Sequence, residues 1–380
     1  MAQCEVGIGV LGYSFMGRAH SNAYHQVPYV MWPATAVPKL VSICGRDELR
    51  LREAAIRFGY SSWVTDWHDL VADPRVMVFD NCGPNHVHLE PTLAAIRAGK
   101  HVLCEKPLGR TAHEAKLLRD AAAAAGVQHM TGFNYRFVPA IQLMRDRILA
   151  GTIGDIYGFR ATYLQSWLAA PRPPRTWWRL HKETAGSGAL GDLGSHVIDL
   201  GRYLCGEPTA VSAVRRSFVT GRPVEGGGAR EIDVDDSIAG LVEFDNGAMG
   251  ILEASRVFLG RYNYLRLEIN GSAGAMCWDL ENLNNLRIYS QENDDTSGFR
   301  TISVTQPSHP FVKFWWPAGH ILGWEHSFVH EIHHFLEAVA GAGAVGPRGA
   351  TFEDGYRAAV VVDAILESAD CGRRIEVSYT

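Results

Sequence analysis

The chain has 380 residues, of which 47% are hydrophobic and 20% are charged, and its formal net charge is −5 at pH 7. This length predicts two or three domains, and the acidic balance argues against a nucleic-acid-binding surface, which is usually basic. No apolar run reaches the ~18 residues of a membrane span, so we expect no membrane partner. The seven cysteines form no Cys-x-x-Cys pair, which favours a reducing, cytoplasmic setting and no metal site.

Short apolar runs alternate with helical stretches in the first third of the chain. The predicted strands are residues 5–11, 40–44, 76–80, 101–104 and 128–132. The clearest predicted helices between them are residues 50–58, 91–99 and 112–125. This order is typical of a doubly wound parallel sheet with helices on both faces, so we predict an α/β domain over residues 1–132.

The pattern changes after residue 132. A predicted helix at 133–150 precedes longer alternating runs at 158–164, 210–216, 237–244, 248–255 and 264–270. Two further helices are predicted at 328–340 and 352–369. Turn sequences such as Asp245-Asn246-Gly247 favour hairpins, which predicts an α+β domain with an open, mostly antiparallel sheet over residues 133–380. We expect the C-terminal helix to pack back on the first domain.

The first strand leads directly into the turn Gly12-Tyr13-Ser14-Phe15-Met16-Gly17. A G-x-G-x-x-G turn between a strand and a helix is the Rossmann pattern that binds the pyrophosphate of a dinucleotide. Ser14 replaces the second glycine, which is tolerable because serine is small, but costly if its φ is positive. We expect Gly12, Ser14, Phe15 and Met16 to contact the cofactor, although a plain tight turn would use the same glycines.

The end of the second strand usually carries an acid that binds the ribose 2′-hydroxyl. Here the strand ends in Cys44-Gly45-Arg46-Asp47, so Gly45 stands in place of that acid. Arg46 suits a 2′-phosphate, or is a solvated turn residue, and Asp47 is still able to reach a ribose. The choice between NAD and NADP therefore stays open.

The third and fourth strands also end in polar residues. Ligands of doubly wound sheets bind at the carboxyl ends of the strands, which puts Asn85, His86, Glu105 and Lys106 near the cofactor. A lysine there can hold a substrate hydroxyl and stabilise its alkoxide-like transition state. The alternatives are an Asn-capped Gly-Pro turn for Asn85 and a surface position for Lys106.

A second polar pair lies far along the chain, in Gly191-Asp192-Leu193-Gly194-Ser195-His196. Asp192 and His196 are four residues apart, so they share one face of a helix. A histidine can take a hydroxyl proton at neutral pH, and a nearby carboxylate can orient it and raise its basicity. The alternatives are a helix cap for Asp192 and a core position for His196.

These motifs together resemble the Gfo/Idh/MocA oxidoreductases. The resemblance covers nearly the whole chain and rests on Gly17-Arg18-Ala19-His20, Pro84-Asn85-His86, Glu105-Lys106-Pro107 and Gly191-Asp192-x-x-x-His196. It implies a catalytic trio of Lys106, Asp192 and His196, with His196 as the acid/base, Asp192 orienting it and Lys106 on the reacting hydroxyl. It also implies a homo-oligomer, a dimer or a tetramer, that uses NAD or NADP to oxidise a secondary hydroxyl of a sugar, anhydrosugar or inositol.

Aromatic and basic residues in the second domain are candidates for the substrate site. Aromatic faces suit the C–H faces of sugars and an arginine binds hydroxyls, so we expect Tyr135, Trp167 and Arg179 to join the catalytic trio in binding substrate. Core packing is the alternative for each aromatic residue. A cofactor-binding regulator without turnover, or an oxidoreductase that retains its nucleotide, would show the same motifs.

One motif points to a different class of enzyme. His330-Glu331-Ile332-His333-His334 matches the H-E-x-x-H pattern of zinc metallohydrolases. The same segment also fits an ordinary amphipathic helix with Phe328, Ile332 and Phe335 on its buried side. The zinc hypothesis leaves the glycine turn, Lys106 and His196 unexplained, so we treat it as the alternative.

Overall fold

A computed structural model describes residues 4–170, 177–224, 227–291 and 295–380. Within these ranges the chain forms seventeen strands and ten α-helices. The strands are β1 (Cys4–Leu11), β2 (Ala36–Cys44), β3 (Ser62–Val64), β4 (Val78–Asn81), β5 (His101–Glu105), β6 (His129–Gly132), β7 (Ile156–Leu164), β8 (Pro208–Arg216), β9 (Gly221–Pro223), β10 (Ala229–Glu231), β11 (Ser237–Phe244), β12 (Met249–Ser255), β13 (Tyr264–Gly271), β14 (Gly274–Asp279), β15 (Asn285–Ser290), β16 (Arg300–Ser303) and β17 (Ile375–Glu376). The helices are α1 (Phe15–Val30), α2 (Glu48–Phe58), α3 (Trp67–Ala72), α4 (Leu89–Arg97), α5 (Ala112–Ala125), α6 (Pro139–Leu149), α7 (Lys182–Ala185), α8 (Ser195–Cys205), α9 (His326–Val339) and α10 (Phe352–Cys371).

The first sheet is parallel and has the order β3-β2-β1-β4-β5-β6 among the described residues. Its central strand, β1, is buried along most of its length, as expected for a sheet covered on both faces. The predicted doubly wound sheet is therefore confirmed. The three-residue strand β3 was not predicted, because so short a run carries no periodic pattern.

The second sheet is mixed and mostly antiparallel, with the order β16-β15-β14-β13-β7-β12-β11-β8-β17 in the described part of the chain. Its one parallel contact joins β7 and β12. This confirms the predicted α+β architecture. The helix predicted at 133–150 is divided into a 3₁₀ turn, Asn134–Phe137, and α6, because Pro139 lacks an amide hydrogen and favours the first position of a helix.

Two helices from the end of the chain complete the core of the first sheet. Phe328 and Ile332 of α9 lie in one hydrophobic cluster with Val6 and Ile8 of β1. Phe352 of α10 packs in a second cluster on the other side of that sheet. The C-terminal helix thus contacts the first domain, and the boundary at residue 132 stays a prediction because later residues contribute to both cores.

None of the helices in the described ranges is long and apolar enough to cross a membrane. All seven cysteines are free thiols.

Candidate active site

The carboxyl ends of β1, β4 and β5 open into a cleft of about 400 Å³ that the second sheet closes from the other side. Twelve of the residues predicted for the site line it: Gly12, Ser14, Phe15, Met16, Asn85, Glu105, Lys106, Tyr135, Trp167, Arg179, Asp192 and His196. Gly45, Arg46 and His86 do not line this cleft. The strand ends and the distant helix that were predicted to meet do so here, and the assignment of Gly45, Arg46 and His86 to the cofactor stays a prediction.

The glycine turn fits a dinucleotide phosphate. Gly12 has φ 105° and a Cβ at Gly17 would lie 1.9 Å from the Gly12 carbonyl oxygen, so neither position tolerates a side chain. Ser14 has φ −77°, so its side chain costs nothing in backbone strain, and its hydroxyl does not cap α1. The first turn of α1 has no acidic residue either, which leaves its amide hydrogens and its dipole available to an anion.

Gly45 and Arg46 follow the last residue of β2, outside the cleft. The ring of Tyr13 covers Gly45 so closely that a Cβ there would lie 2.2 Å from Tyr13 Cε1. Arg46 is exposed, and Asp47 accepts a hydrogen bond from the amide of Arg50 as the N-cap of α2. Asp47 therefore caps α2 through one carboxylate oxygen, and its predicted contact with a ribose stays a prediction.

Asn85 and His86 point in different directions although they are adjacent. The Asn85 side-chain amide donates to the carbonyl oxygen of Ala185 at 2.8 Å, which joins the first domain to α7 while Asn85 still lines the cleft. His86 has a buried Nδ1 without a partner, outside the cleft. Burial lowers the pKa of His86, and the charges of Arg110 and Arg46 lower it further, so its imidazole is neutral.

Lys106 and Asp192 form the polar centre of the cleft. Lys106 Nζ donates to the backbone carbonyl of Asp192 at 2.9 Å and to its Oδ1 at 3.4 Å. Arg179 also donates to Oδ1 of Asp192, and Arg256 lies 3.8 Å from Oδ2. Burial alone would raise the pKa of Asp192, but Arg179, Lys106 and Arg256 together hold it well below its usual value. Asp192 is therefore ionised and fixes the two cations that reach the cleft.

His196 stands at the start of α8, after a π-helical turn at Leu190–Gly194. Its side chain packs edge-on against Tyr135, with ring centroids 4.8 Å apart, and its Nδ1 is buried without a hydrogen-bond partner. Burial lowers its pKa well below 6.5, Lys106 adds to this effect and Asp192 opposes it. The Asp192 carboxylate is engaged by cations and makes no hydrogen bond to His196, so its influence on the His196 pKa is electrostatic.

A buried network of ionisable side chains contacts the strand end that carries Lys106, and it was not predicted from the sequence. His20 contacts Asp80 through Nδ1 at 2.9 Å and Glu105 through Nε2 at 3.1 Å, with all three side chains at most 5% exposed. Burial opposes the charge of His20, but Asp80 and Cys82 raise its pKa well above 6.5. Glu105 in turn accepts from the amide of Lys106 at 3.0 Å, so an imidazolium between two carboxylates fixes the strand end that carries Lys106.

The substrate half of the cleft contains the predicted Tyr135, Trp167 and Arg179 together with residues that were missed. Tyr163 and Gln165, at the end of β7, line the cleft but were not singled out in the sequence. Their signal was available, since polar residues at the end of a strand next to predicted site residues are candidates. Arg136, beside Tyr135 in the sequence, is instead buried in an ion pair with Asp199, 2.6 Å apart.

The zinc-hydrolase alternative does not fit the geometry of α9. His330 contacts the Phe137 carbonyl through Nδ1 at 2.9 Å and accepts from Trp315 through Nε2 at 2.7 Å. His334 contacts the Val345 carbonyl through Nε2 at 2.8 Å. Across the described residues, the one cluster able to hold a metal is His20, Asp80 and Cys82, which does not include this motif.

A parallel sheet with a phosphate-binding first turn, facing acid–base side chains across one cleft, places the chain among the nicotinamide-dependent oxidoreductases. Residues 6–133 match the family model described as oxidoreductase family, NAD-binding Rossmann fold, and residues 141–277 match the GFO/IDH/MocA C-terminal domain. The chain belongs to the Gfo/Idh/MocA family of oxidoreductases.

Curated relatives and solved structures agree with this assignment. Levoglucosan dehydrogenase of Pseudarthrobacter phenanthrenivorans is 41% identical over 96% of both chains. Myo-inositol 2-dehydrogenase of Thermotoga maritima is 26% identical over 97% of this chain and 98% of its own. A structure of levoglucosan dehydrogenase with NADH and levoglucosan has a TM-score of 0.94 and 41% identity, and covers 98% of this chain and 99% of that one.

Proposed function

We propose that this dehydrogenase oxidises a secondary hydroxyl of a neutral cyclic sugar, with an anhydrosugar such as levoglucosan as the first candidate and NAD as the cofactor. The observation that carries the proposal is the meeting of Lys106, Asp192 and His196 in the cleft that begins at the glycine turn. The relatives that are similar over nearly the full length support the substrate class, since the first of them is a levoglucosan dehydrogenase.

His196 is the proposed general base. Its lowered pKa keeps the imidazole neutral at pH 7, so it is able to accept the proton of the reacting hydroxyl. Lys106 donates to the oxygen of that hydroxyl and stabilises the negative charge that develops there as the proton leaves. Asp192 holds Lys106 and Arg179 in place through one carboxylate oxygen.

The cofactor site is proposed along the carboxyl edge of the first sheet. The amides at the start of α1 would bind the pyrophosphate, with Gly12, Ser14, Phe15 and Met16 around it, and Asn85, Glu105 and Lys106 toward the nicotinamide. Gly45, Arg46 and His86 would face the adenosine half, outside the cleft. Bound NAD supplies the hydride acceptor, and the protein supplies orientation, the base and the exclusion of water.

The balance of charge in the cleft supports a neutral substrate. Among the described residues, four charged side chains line it: the two negative ones are Glu105 and Asp192, and the two positive ones are Lys106 and Arg179. Both cations are already paired with Asp192, so neither is free to hold a phosphate group. Trp167 and Trp178 offer aromatic faces to the C–H faces of a sugar ring.

A homo-oligomer, formed through the uncovered face of the second sheet, is part of the proposal. Leu241, Met249 and Ile251 are 59%, 72% and 49% exposed there, on the neighbouring strands β11 and β12. Apolar patches of this kind usually mark protein contacts. A mass measured by light scattering above that of one chain, and reduced by Leu241→Lys with Ile251→Lys, would support it. The free cysteines are consistent with the predicted cytoplasmic location.

The experiment is a survey of substrates. Purified protein is mixed with NAD or NADP and with levoglucosan, free aldoses, inositols and glucose 6-phosphate, and reduced nicotinamide is followed by absorbance. We expect turnover of levoglucosan or a similar neutral ring, and a weaker response to the phosphorylated sugar. Nucleotide binding without turnover on any member of the panel would instead favour the regulator alternative.

A further inference from the structure

A chain of hydrogen bonds runs along the wall of the substrate half, behind Tyr135. The hydroxyls of Tyr135 and Tyr163 are 2.8 Å apart, and the Tyr163 hydroxyl is 2.8 Å from Oδ1 of Asn263. Gln165 Nε2 donates to the same oxygen at 2.7 Å. Tyr135 and Tyr163 line the cleft, whereas Asn263 does not. These hydrogen bonds thus connect two side chains of the cleft to an amide outside its lining.

The direction of these hydrogen bonds follows from the number of protons available. A phenol has one hydrogen to donate. Because two groups point at Oδ1 of Asn263, this oxygen is the acceptor, and the single hydrogen of Tyr163 is directed to it. The hydrogen bond between the two hydroxyls is then donated by Tyr135 and accepted by the oxygen of Tyr163. Trp324 Nε1 donates to the oxygen of Tyr135 at a longer 3.4 Å, which agrees with this direction.

Neither tyrosine carries a negative charge near neutral pH. Burial raises the pKa of both Tyr135 and Tyr163 above their usual value, so both remain protonated near neutral pH. With its one hydrogen directed along these hydrogen bonds, each hydroxyl can meet a substrate only as an acceptor; Gln165 Nε2 approaches the Tyr163 oxygen as well, at a longer 3.5 Å. The cleft also contains two cationic donors, Lys106 Nζ and the Arg179 guanidinium. The tyrosine pair thus adds acceptors to a pocket whose charged donors are elsewhere in its lining.

From this geometry we infer that Asn263 is a specificity-determining residue, which makes Tyr135 and Tyr163 hydrogen-bond acceptors that select substrates with free hydroxyls on that side of the ring. The inference rests on the proposed sugar dehydrogenase function. A ring in which such a hydroxyl is replaced by a methoxy group or by fluorine has no hydrogen to donate. It leaves the tyrosine oxygens facing another acceptor, and a site that is built for a donor rejects such an analogue strongly.

The test compares two variants at one position. Asn263→Asp keeps an acceptor and exchanges the amide hydrogens for a carboxylate charge, whereas Asn263→Leu removes the acceptor and frees the Tyr163 hydroxyl to rotate into the cleft. The rates are measured as kcat/KM for levoglucosan and for those of its mono-O-methyl and mono-deoxyfluoro analogues that keep the hydroxyl being oxidised. NAD affinity is measured in parallel, and we expect it to stay constant because Asn263 is remote from the glycine turn.

We expect the protein without substitutions, and Asn263→Asp, to prefer levoglucosan over at least one analogue of each kind by about 10- to 100-fold, the usual scale for one unmet polar contact. In Asn263→Leu the ratio of kcat/KM for levoglucosan to kcat/KM for the same analogue should fall to about threefold or less. Such a residual preference is smaller than the effect of one full hydrogen bond. Equal impairment of both variants would overturn the inference, because it would mean that Asn263 acts as a donor. An unchanged ratio in Asn263→Leu would overturn it as well.

A second readout does not depend on turnover. Neutron diffraction from deuterium-exchanged crystals shows hydroxyl deuterons directly. We expect the Tyr163 deuteron on the line to Oδ1 of Asn263 and the Tyr135 deuteron on the line to the Tyr163 oxygen. Deuterons pointing into the cleft would refute the inference. If the protein oxidises no sugar, the proposed function fails. The neutron density would still show in which direction the hydrogen bonds between Tyr135, Tyr163 and Asn263 are donated.

Discussion

Lys106 Nζ lies 2.9 Å from the backbone carbonyl of Asp192, although 86 residues separate the two in the sequence. Lys106 follows a strand of the parallel sheet, and Asp192 lies in the π-helical turn that precedes α8. This contact joins the proposed cofactor half of the cleft to its substrate half. It also places a cation and a neutral imidazole, His196, around the same space. The proposed chemistry depends on this juxtaposition.

Removal of the proposed base should abolish most activity and leave the fold intact. We expect His196→Ala to lower kcat by at least ~100-fold, the usual contribution of a general base, because no other neutral imidazole lines the cleft in the described part of the chain. Nucleotide binding should be retained. His320→Ala, at an exposed histidine outside the cleft, is the matched control and should leave kcat unchanged. A His196→Ala variant with nearly normal kcat would remove His196 from its role.

The dependence of activity on pH follows from the pKa of His196. Burial and Lys106 lower this pKa well below 6.5, and the neutral form is the one that accepts a proton. Activity in the oxidative direction is therefore present above the lowered pKa and is lost as the pH falls through it. We expect the acid limb of kcat/KM to lie below pH 6.5. Asp192→Asn removes a charge that raises the pKa, so the limb of its residual activity should move to lower pH; a shift upward would contradict this.

Arg46 tests the choice of cofactor. It is exposed at the end of β2, Gly45 offers no carboxylate and Asp47 is occupied as the cap of α2. If NADP is accepted at all, its 2′-phosphate should contact Arg46. We expect Arg46→Ala to lower kcat/KM with NADP by about tenfold, as for loss of one charge-assisted contact, and to leave the value with NAD within about twofold. Equal effects on both cofactors would exclude this role.

The buried ion pair of Arg136 and Asp199 should be necessary for stability. Both side chains are at most 2% exposed, and Asp199→Ala would leave the guanidinium buried with only Asp354 to balance it. We expect a loss of about 3–5 kcal/mol in the free energy of unfolding, measured with urea. Asp370→Ala, in the half-exposed pair with Arg215, is the control and should cost about 0–1 kcal/mol. Similar losses of unfolding free energy in both variants would contradict the expectation that an ion pair matters more for stability when it is buried.

Treatment with a chelator separates the oxidoreductase from the zinc alternative. Both ring nitrogens of His330 and Nε2 of His334 already have protein partners, so we expect no metal on α9. Dialysis against a strong chelator should leave the initial rate unchanged, with added zinc as the reciprocal control. A loss of activity that zinc restores would reopen the metal question.

Much of the fold and site was accessible from the sequence because their signals are local. The strand ends at Gly12, Asn85 and Lys106 follow short apolar runs, and parallel strands bring their carboxyl ends to one edge. Asp192 and His196 share a helical spacing that is visible without the structure. In each case the neighbours in the sequence determine where the side chain lies.

The remaining features depend on contacts between distant segments. The sequence gives no indication that the Asp192 carboxylate contacts Arg179 and Lys106 rather than His196, since that choice depends on how three segments pack. His20 pairs with Asp80 and Glu105 across 60 and 85 residues. Tyr163 was missed because it occupies a buried position of the alternating pattern of β7 and resembles an ordinary core tyrosine, and its place at the end of the strand was the one signal against that reading.

The central claim is most directly tested by the initial rate of NAD reduction with levoglucosan, measured by absorbance for the unsubstituted protein and for Lys106→Ala. The account predicts a clear rate for the former and a loss of at least ~100-fold in the latter, with NAD still bound. A Lys106→Ala variant that reduces NAD at the rate of the unsubstituted protein would contradict the proposal that the cleft around Lys106, Asp192 and His196 performs the reaction.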